Sequence, residues 1–256
     1  MTDFDDRLQI YNCLRRYGPR TVIVGPSYAW QLGSFSGIYN LSILGANPAE
    51  TANVLRYCRQ EDTVLYIFTL REVALFKREA KYSSSCALTR RAAIMRKSIR
   101  CMVFGTDNAP YNPIPEADTS VSEVEIETFA KAIDLSKVNV VPKRAIFRLR
   151  ICSVPPEDIT LRPFLELAEQ HPGIVFVFHP MLPLNRVADD TSLAHSISRC
   201  LESQERIREL FSQSDLRFVD FSDSVPASMF GDFYHLRDDG KELLRQEISA
   251  YLSHLS

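Results

Sequence analysis

Three side chains near opposite ends of the sequence have the types and spacing needed for hydrolytic chemistry. Ser27 follows the apolar run Thr21–Val24 and a Gly-Pro pair, and Asp232 and His235 are three residues apart in 229-MFGDFYHLRDDG-240. An imidazole can take the proton of a serine hydroxyl while a carboxylate orients the ring and stabilises its charged form. These residues therefore predict a nucleophile, a base and an orienting acid, provided that the fold brings them together.

Each of these residues also has a simpler interpretation. A serine between a strand and a helix is a common N-cap, and for Ser27 taken alone this interpretation is favoured. Asp232 and His235 are either a cap and an exposed imidazole on a surface turn, or a catalytic pair side by side on one helical turn. A metal pair is a third interpretation, but no further His or Cys cluster completes a ligand set, so no metal and no cofactor are predicted.

The other histidines are not expected to take part in this chemistry. His179 ends an apolar strand and is interpreted as a satisfied residue at the sheet edge, with lining of the pocket as the alternative. The remaining three are predicted to lie on solvated helix surfaces: His171, His195 and His254.

Short β-branched runs that alternate with helical patterns predict the elements that position these residues. Strands are predicted at Thr21–Val24, Tyr39–Leu44, Thr63–Thr69, Ile174–His179 and Leu216–Phe221. Helical patterns lie within 45–58, 157–173, 192–212 and 241–255. This alternation favours a three-layer α/β/α fold with a mainly parallel sheet. Ligands bind at the carboxyl edge of such sheets, which is where Ser27 would lie.

Two of the helices carry specific signals. Asn47 can cap the first helix, Pro48 suits its first position, and Glu50 lies three residues after the cap. The helix within 157–173 is predicted to turn four apolar residues towards the core: Phe164, Leu165, Leu167 and Ala168.

The middle of the chain departs from this alternation. Residues 71–100 contain nine Lys or Arg and only two acids, and prolines at 110, 113 and 115 indicate an irregular loop. We therefore predict one domain over 1–256, with 73–141 as an insert of helices and loops. The basic run is most simply a solvated helix face, but it begins beside the predicted pocket and permits an anionic substrate.

Composition narrows the function classes. The net charge of −2 gives no reason to expect nucleic acid as a partner. Six cysteines without a CxxC pair predict free, mostly buried thiols in a reducing compartment. The acidic N-terminus does not resemble a signal peptide, and no apolar run approaches the roughly 18 residues of a membrane span. The predicted location is therefore cytoplasmic.

The positions of these motifs resemble the SGNH (GDSL-like) hydrolase superfamily. Gly25-Pro26-Ser27 after an early strand is similar to its first motif, and D-x-x-H-L-x-x-x-G, here from Asp232 to Gly240, is similar to its last. The stretch 39-YNLSILGANPAE-50 resembles the second motif, which implies that the N–H of Gly45 faces the oxyanion together with the N–H of Ser27. The resemblance covers most of the chain outside 73–141 and implies a flavodoxin-like SGNH fold, with Ser27, His235 and Asp232 as the catalytic residues.

One departure from this family concerns oxyanion stabilisation. The third motif, Gly-x-Asn-Asp, should follow the strand Thr63–Phe68, but the sequence there is 69-TLRE-72. Arg71 falls near the position of the missing asparagine, and Asn108 in the insert is another possible donor. Loss of one oxyanion donor costs on the order of 10²–10³ in rate, so activity is in question. Pro26, where the family usually has an acid, is a lesser departure.

The resemblance implies a serine-dependent acyl-ester hydrolase that acts on an O-acylated carbohydrate. Relatives with this type of second motif are associated with O-acetylation of bacterial cell-surface polysaccharides, which makes an O-acyltransferase the alternative within the enzyme class. A non-catalytic module that binds a glycan or a partner is the alternative outside it. The absent third motif favours the binding module, and the intact Ser27, Asp232 and His235 favour catalysis.

Overall fold

The described part of the chain contains one parallel β-sheet. The computed structural model describes residues 3–44, 46–82, 121–133, 137–138 and 140–254. Its five strands are β1 (Thr21–Val24), β2 (Ile38–Asn40), β3 (Thr63–Phe68), β4 (Ile174–Phe178) and β5 (Phe218–Asp220). They are hydrogen-bonded in the order β2-β1-β3-β4-β5, and every pair is parallel.

This strand order confirms the predicted fold class. The order 2-1-3-4-5 is that of flavodoxin-like α/β sheets, in which ligands bind where the direction of the strand order reverses. Here the reversal lies at β1, because the chain crosses first from β1 to β2 and then back to β3. Right-handed crossovers place connections that run in opposite directions on opposite faces of the sheet, which produces three layers.

Helices connect and cover these strands. Those of the described residues are α1 (Asp3–Leu14), α2 (Ser27–Trp30), α3 (Pro48–Val54), α4 (Leu70–Tyr82), α5 (Glu123–Ala132), α6 (Pro142–Cys152), α7 (Arg162–Gln170), α8 (Ser192–Ser212) and α9 (Asp238–Ser253). Short 3-10 turns lie at Arg15–Tyr17, Leu55–Tyr57, Pro156–Asp158 and Ala227–Met229. On one face, α4, α6 and α8 contact one another.

The core lies around the central strands. Residues 22–24, 64–68 and 174–178 are all buried, as expected for strands that have helices on both faces. At the ends of β3 and β4, Phe68 and Phe178 stack with ring centroids 5.3 Å apart, and Phe211 of α8 stacks on Phe218 of β5 at 4.3 Å. These aromatic contacts join the sheet to α8 and so fix the distance between two layers.

Local signals in the sequence match the structure at several elements. In α3, Asn47 accepts from the N–H of Glu50 while Glu50 accepts from the N–H of Asn47, so the predicted capping box is confirmed. The helix at 192–212 is also confirmed. The prediction for Leu165 was wrong: it is 46% exposed, because the inward face of α7 is formed by Phe164 and Leu167.

The prediction for His171 was wrong as well. His171 lies just beyond the end of α7 and is fully buried, with Nε2 2.6 Å from the carbonyl oxygen of Arg59. The helix ends at Gln170, so the imidazole enters the turn that leads to β4 rather than projecting from a helix surface. His195 and His254 are exposed, as predicted.

Part of the predicted insert is described. Its first residues continue α4 to Tyr82, and Phe129 and Ala132 of α5 are buried where that helix contacts α6 and α8. Residues 83–120, with most of the basic run, lie outside the described residues, and the insert stays a prediction.

Two predictions from composition concern cysteines and membrane spans. Cys58, Cys152 and Cys200 are free and buried and Cys13 is free and exposed, whereas positions 86 and 101 are not described. Of the helices in the described ranges, none has the length and apolar character that crossing a membrane requires.

Candidate active site

Ser27 is the first residue of α2, directly after the turn that follows β1. Pro26 occupies the N-cap position, so the interpretation of Ser27 as a helix cap is wrong and its hydroxyl contacts another element. Gly25 permits the tight turn, because a Cβ there would lie 2.5 Å from the Cβ of Ala29 and 2.9 Å from the carbonyl oxygen of Ile67. The result is a half-buried serine at the carboxyl edge of the sheet.

The hydroxyl of Ser27 meets the imidazole of His235, although the two residues are 208 positions apart. Ser27 Oγ lies 3.0 Å from His235 Nε2, and His235 Nδ1 lies 2.9 Å from each carboxylate oxygen of Asp232. An ionised carboxylate only accepts hydrogen bonds, so Nδ1 carries the proton and Nε2 offers its lone pair to the serine. The structure thus brings together the three residues that the sequence singled out.

A tight loop holds Asp232 and His235, and it is not the helical turn that the sequence suggested. The N–H of Gly231 donates to the carbonyl oxygen of His235 at 2.8 Å, and Phe230 pairs with Leu236 in an antiparallel bridge. The carboxylate of Asp232 accepts the N–H of His235 at 3.0 Å, which closes a turn within the loop. These hydrogen bonds reverse the chain and bring the side chains of Asp232 and His235 together. On a helix, the spacing of three residues would have placed them side by side.

Buried apolar side chains anchor the same loop. Phe230, Phe233 and Leu236 are at most 5% exposed, and the carbonyl oxygen of Phe233 accepts the N–H of Leu182 at 2.8 Å. Leu182 follows β4, so the loop is fixed to the carboxyl edge of the sheet. An anchored loop limits the positions that the imidazole of His235 can adopt.

The carboxylate of Asp232 is buried and ionised. Burial alone would raise the pKa of Asp232, but the hydrogen bond from His235, the charge of Arg148 and the N–H of Tyr234 together lower it to about 2. The carboxylate therefore remains negative at any pH at which an esterase works, and it can stabilise a proton on the imidazole of His235.

Two arginines of α6 lie against this carboxylate. The Nε atoms of Arg144 and Arg148 are each 3.3 Å from Oδ2 of Asp232. Among the described residues the buried Nε of Arg148 has no hydrogen-bond partner, so its contact with the carboxylate is an ion pair whose angle does not suit a hydrogen bond. Its NH1 donates to the hydroxyl of Tyr234, and its guanidinium lies 4.8 Å from the centre of that ring. Neither arginine was predicted from the sequence, because both lie far from Asp232 along the chain and no local motif marks them.

The segment that should carry the oxyanion glycine runs beside the end of β1. The N–H of Ile43 donates to the carbonyl oxygen of Gly25 at 3.1 Å, and guanidinium nitrogens of Arg7 bind the carbonyl oxygens of Asn40 and Ser42. The segment is therefore fixed next to the turn that carries the serine. Positions 45 and 108, both predicted as oxyanion donors, lie outside the described residues.

Arg71, another predicted donor, lies in the first turn of α4. Its NH1 donates to Oε1 of Glu72 at 2.8 Å, and its side chain is 17% exposed. Burial alone would lower the pKa of the Arg71 guanidinium, but the charge and hydrogen bond of Glu72, together with Tyr234 and Tyr28, raise it. Arg71 is thus a permanent cation that is tied to a buried carboxylate.

Glu72 binds several residues around Ser27, and it was not predicted from the sequence either. Its Oε2 accepts the hydroxyl of Tyr28, the N–H of Thr69 at 3.0 Å and the hydroxyl of Thr69 at 2.9 Å. Tyr28 follows the candidate nucleophile Ser27, so this carboxylate joins α2 to the end of β3. The spacing Thr69-x-x-Glu72 is that of a capping box, and this signal could have identified the contact.

His179 lies beneath these residues and is fully buried. Its Nδ1 is 2.7 Å from the carbonyl oxygen of Pro180, and its ring centroid is 4.7 Å from that of Tyr28. Burial lowers the pKa of His179 to about 3, against the hydrogen bond to Pro180, so the ring is neutral and packs against Tyr28. At 1% exposure it is a satisfied residue at the sheet edge, as predicted, rather than a pocket lining.

Comparisons with known proteins give structural matches only. No family model matches the chain, and no curated protein is similar to it. It is similar to phospholipase A1 from Streptomyces albidoflavus NA297, with a TM-score of 0.45 and 11% identity over 90% of this chain and 98% of that one. It is also similar to the extracellular lipase from Streptomyces rimosus, with a TM-score of 0.41 and 10% identity over 90% and 99% of the two chains. At this level of similarity, the fold assignment rests on the strand order of the sheet and not on these two proteins.

Proposed function

We propose that this chain is a serine-dependent acyl-ester hydrolase of the SGNH type. The observation that carries the proposal is the continuous contact from Ser27 Oγ to His235 Nε2, and from His235 Nδ1 to Asp232. The serine is accessible, the base has its lone pair directed at the hydroxyl, and the acid is buried and charged. These are the three conditions that nucleophilic catalysis by serine requires.

The proposed reaction begins with proton transfer to His235. As Ser27 Oγ attacks the ester carbonyl carbon, its proton moves to Nε2, and Asp232 stabilises the imidazolium. The tetrahedral intermediate collapses when the bond to the alcohol oxygen breaks and that oxygen takes the proton from Nε2. Water then attacks the acyl-serine with His235 again as the base, which releases the acid and restores Ser27.

The oxyanion of the intermediate needs donors near Ser27. We assign this role first to the N–H of Ser27, because the first N–H groups of a helix have no intrahelical acceptor. Gly45 is proposed as the second donor because the residues that precede it, from Ile38 to Ile43, run beside β1 and the turn that follows it. Arg71 and Asn108 stay candidates for the position of the missing asparagine. For Arg71, the bond to Glu72 would have to loosen before its guanidinium could turn to the substrate.

The natural substrate is proposed to be an O-acylated carbohydrate, which rests on the resemblance of the motifs. If a sugar hydroxyl replaces water in the second step, the same residues perform acyl transfer. The half-buried hydroxyl of Ser27, in contact with its base, opposes the interpretation as a non-catalytic binding module.

Hydrolysis of p-nitrophenyl acetate tests this function. The wild-type protein should release p-nitrophenol in a reaction that Ser27→Ala abolishes. The matched control is Ser196→Ala, which removes an exposed hydroxyl of α8 whose one bond among the described residues is to the carbonyl oxygen of Ser192. Equal rates for wild type and Ser27→Ala would refute the proposal. Transfer of acetyl to an added oligosaccharide in excess of hydrolysis would identify a transferase.

A further inference from the structure

The charges around Asp232 do not balance. Two guanidinium groups, those of Arg144 and Arg148, lie 3.3 Å from one carboxylate oxygen. The same carboxylate already accepts hydrogen bonds from His235 and from the N–H of Tyr234. Within the described ranges, no other carboxylate forms an ion pair with either arginine, which leaves one positive charge in excess beside the candidate catalytic residues.

A neighbouring arginine on the same helix shows the usual arrangement. Arg150 pairs with its own carboxylate, because its NH2 contacts Oε1 of Glu125 from α5. The first turn of α6 contains no acid but does contain Lys143 and Arg144. Cations are unfavourable at the amino end of a helix, so these residues do not serve the stability of α6.

The two arginines differ in what they can still bind. Arg148 is 24% exposed, and its NH1 is engaged by Tyr234. The side chain of Arg144 is 63% exposed, and only its Nε contacts Asp232. No residue in the described part of the chain bonds to its NH1 or NH2. One arginine would suffice to hold the carboxylate, and the second presents two donors and a charge to solvent.

Arg144 is joined to the candidate nucleophile by a chain of three contacts. Its Nε meets Asp232, Asp232 meets Nδ1 of His235, and Nε2 of His235 meets Ser27 Oγ. The departing alcohol takes its proton from Nε2, so only an alcohol part that extends past the imidazole towards Asp232 would reach this guanidinium. A guanidinium with two free N–H groups matches the paired oxygens of a carboxylate, phosphate or sulfate.

We propose that Arg144 is an anion-recognition residue and that the substrates are acyl esters whose alcohol part carries a negatively charged group, namely a carboxylate, phosphate or sulfate. This inference rests on the proposed function and names the substrate class of the same site. Excess positive charge raises the local concentration of anionic substrates, and a direct contact with Arg144 selects among them. In this proposal the anionic group of the substrate is recognised by Arg144 of α6 and not by the basic run at 71–100.

A matched pair of substrates tests this proposal. 3-Acetoxybenzoate and 3-acetoxybenzamide have nearly the same shape, but only the first carries a charge on the alcohol part. The measured quantity is the ratio of their kcat/KM values, each divided by the rate of uncatalysed hydrolysis. We expect the ratio to favour the anion in wild type and to fall about two- to fivefold in Arg144→Gln, as for a partly exposed ion pair. Added salt should also lower it.

Arg206→Gln is the matched control. It removes the same charge from α8, where Arg206 pairs with Glu209 near the end of the helix that leads to the amino edge of the sheet. The ratio should equal that of wild type. An unchanged ratio in Arg144→Gln, or an equal fall in both variants, would overturn the proposal.

The same ratio is measured for a lipid headgroup by comparing hydrolysis of vesicles of phosphatidylglycerol, the anionic member, with hydrolysis of vesicles of phosphatidylcholine. A preference for the anionic member that depends on Arg144, in either the soluble or the vesicle arm, supports the proposal and identifies the source of the anion. Insensitivity to Arg144→Gln in both arms refutes it.

A binding measurement separates failure of this inference from failure of the proposed function. In Ser27→Ala protein, the NMR signal of the Arg144 Nε–H group should shift on addition of 3-acetoxybenzoate and not of the amide. A shift without turnover by wild type would refute the esterase and retain the anion site. Turnover that depends on Ser27 without a shift would retain the esterase and refute the anion site.

Discussion

Replacement of Asp232 by Asn is the perturbation whose consequences the structure defines best. The carboxylate accepts hydrogen bonds from the Nδ1–H of His235 and from two backbone N–H groups. It also forms ion pairs with two arginines. An amide NH2 at the same place cannot accept the Nδ1–H. The imidazole would then hold its proton on Nε2 and donate a hydrogen bond to Ser27 Oγ, whereas catalysis requires Nε2 to accept the proton of the serine hydroxyl. This loss of the correct tautomer should lower kcat about 10⁴-fold.

The same substitution has a cost in stability that follows from the pKa. A fall in the pKa of Asp232 from 3.8 to about 2 corresponds to about 2 kcal/mol in favour of the ionised carboxylate in the folded protein. Loss of the charge also leaves Arg148 beside a neutral group, whereas the exposed Arg144 can turn to water. We therefore expect the free energy of unfolding to fall by about 2 to 3 kcal/mol.

Kinetics on p-nitrophenyl acetate and urea unfolding of the same preparations measure both effects. Asp238→Asn is the matched control, because Asp238 is a fully exposed acid in the same region of the chain that pairs only with Lys241 among the described residues. It should leave kcat unchanged. An Asp232→Asn protein whose kcat lies within tenfold of wild type would refute the assignment of Asp232 as the residue that orients His235.

Three further predictions concern the elements that support the site. Gly25→Ala should destabilise the fold by about 1 to 3 kcal/mol in urea unfolding, because the new methyl group would lie 2.9 Å from the carbonyl oxygen of Ile67; wild-type stability would show that the turn relaxes freely. Tyr28→Phe should lower the free energy of unfolding by about 1 to 2 kcal/mol, since Glu72 loses one donor and retains others; a loss below 0.5 kcal/mol, on the scale of a surface substitution, would contradict the buried contact. Because its folded pKa is lowered to about 2, Asp232 contributes stability that is complete above about pH 4 and is lost as the pH falls towards 2; Asp232→Asn should remove that part of the acid dependence, and an unchanged acid titration of stability would count against the lowered pKa.

The sheet was predictable because its central strands are mostly apolar. Runs such as 174-IVFVF-178 are buried on both faces and are bounded by turn residues, so their position and their parallel arrangement follow from the sequence. Their ends were less well placed: the strand expected at Tyr39–Leu44 is Ile38–Asn40, because the residues that follow form the loop beside Gly25. That loop is fixed by Arg7 of α1, a distant contact that no local pattern contains.

The candidate site was predictable only where residues close in sequence or a family order carried the signal. Ser27, Asp232 and His235 occupy recognisable motifs, and the strand order explains why they meet. Arg144 could not be found in this way, because its contact with Asp232 depends on how α6 packs against the loop after β5. Glu72 had a local signal, but a capping box alone does not indicate that a tyrosine from another helix binds the same carboxylate.

The most direct test of the central claim is the site of covalent modification by a fluorophosphonate probe, located by mass spectrometry of the digested protein. The structure predicts one adduct, on Ser27, that is absent in Ser27→Ala and strongly reduced in His235→Gln. The Ser196→Ala control should be modified as the wild type is. An adduct on another residue, labelling that persists without Ser27, or no adduct under conditions that label a known serine esterase would contradict the account.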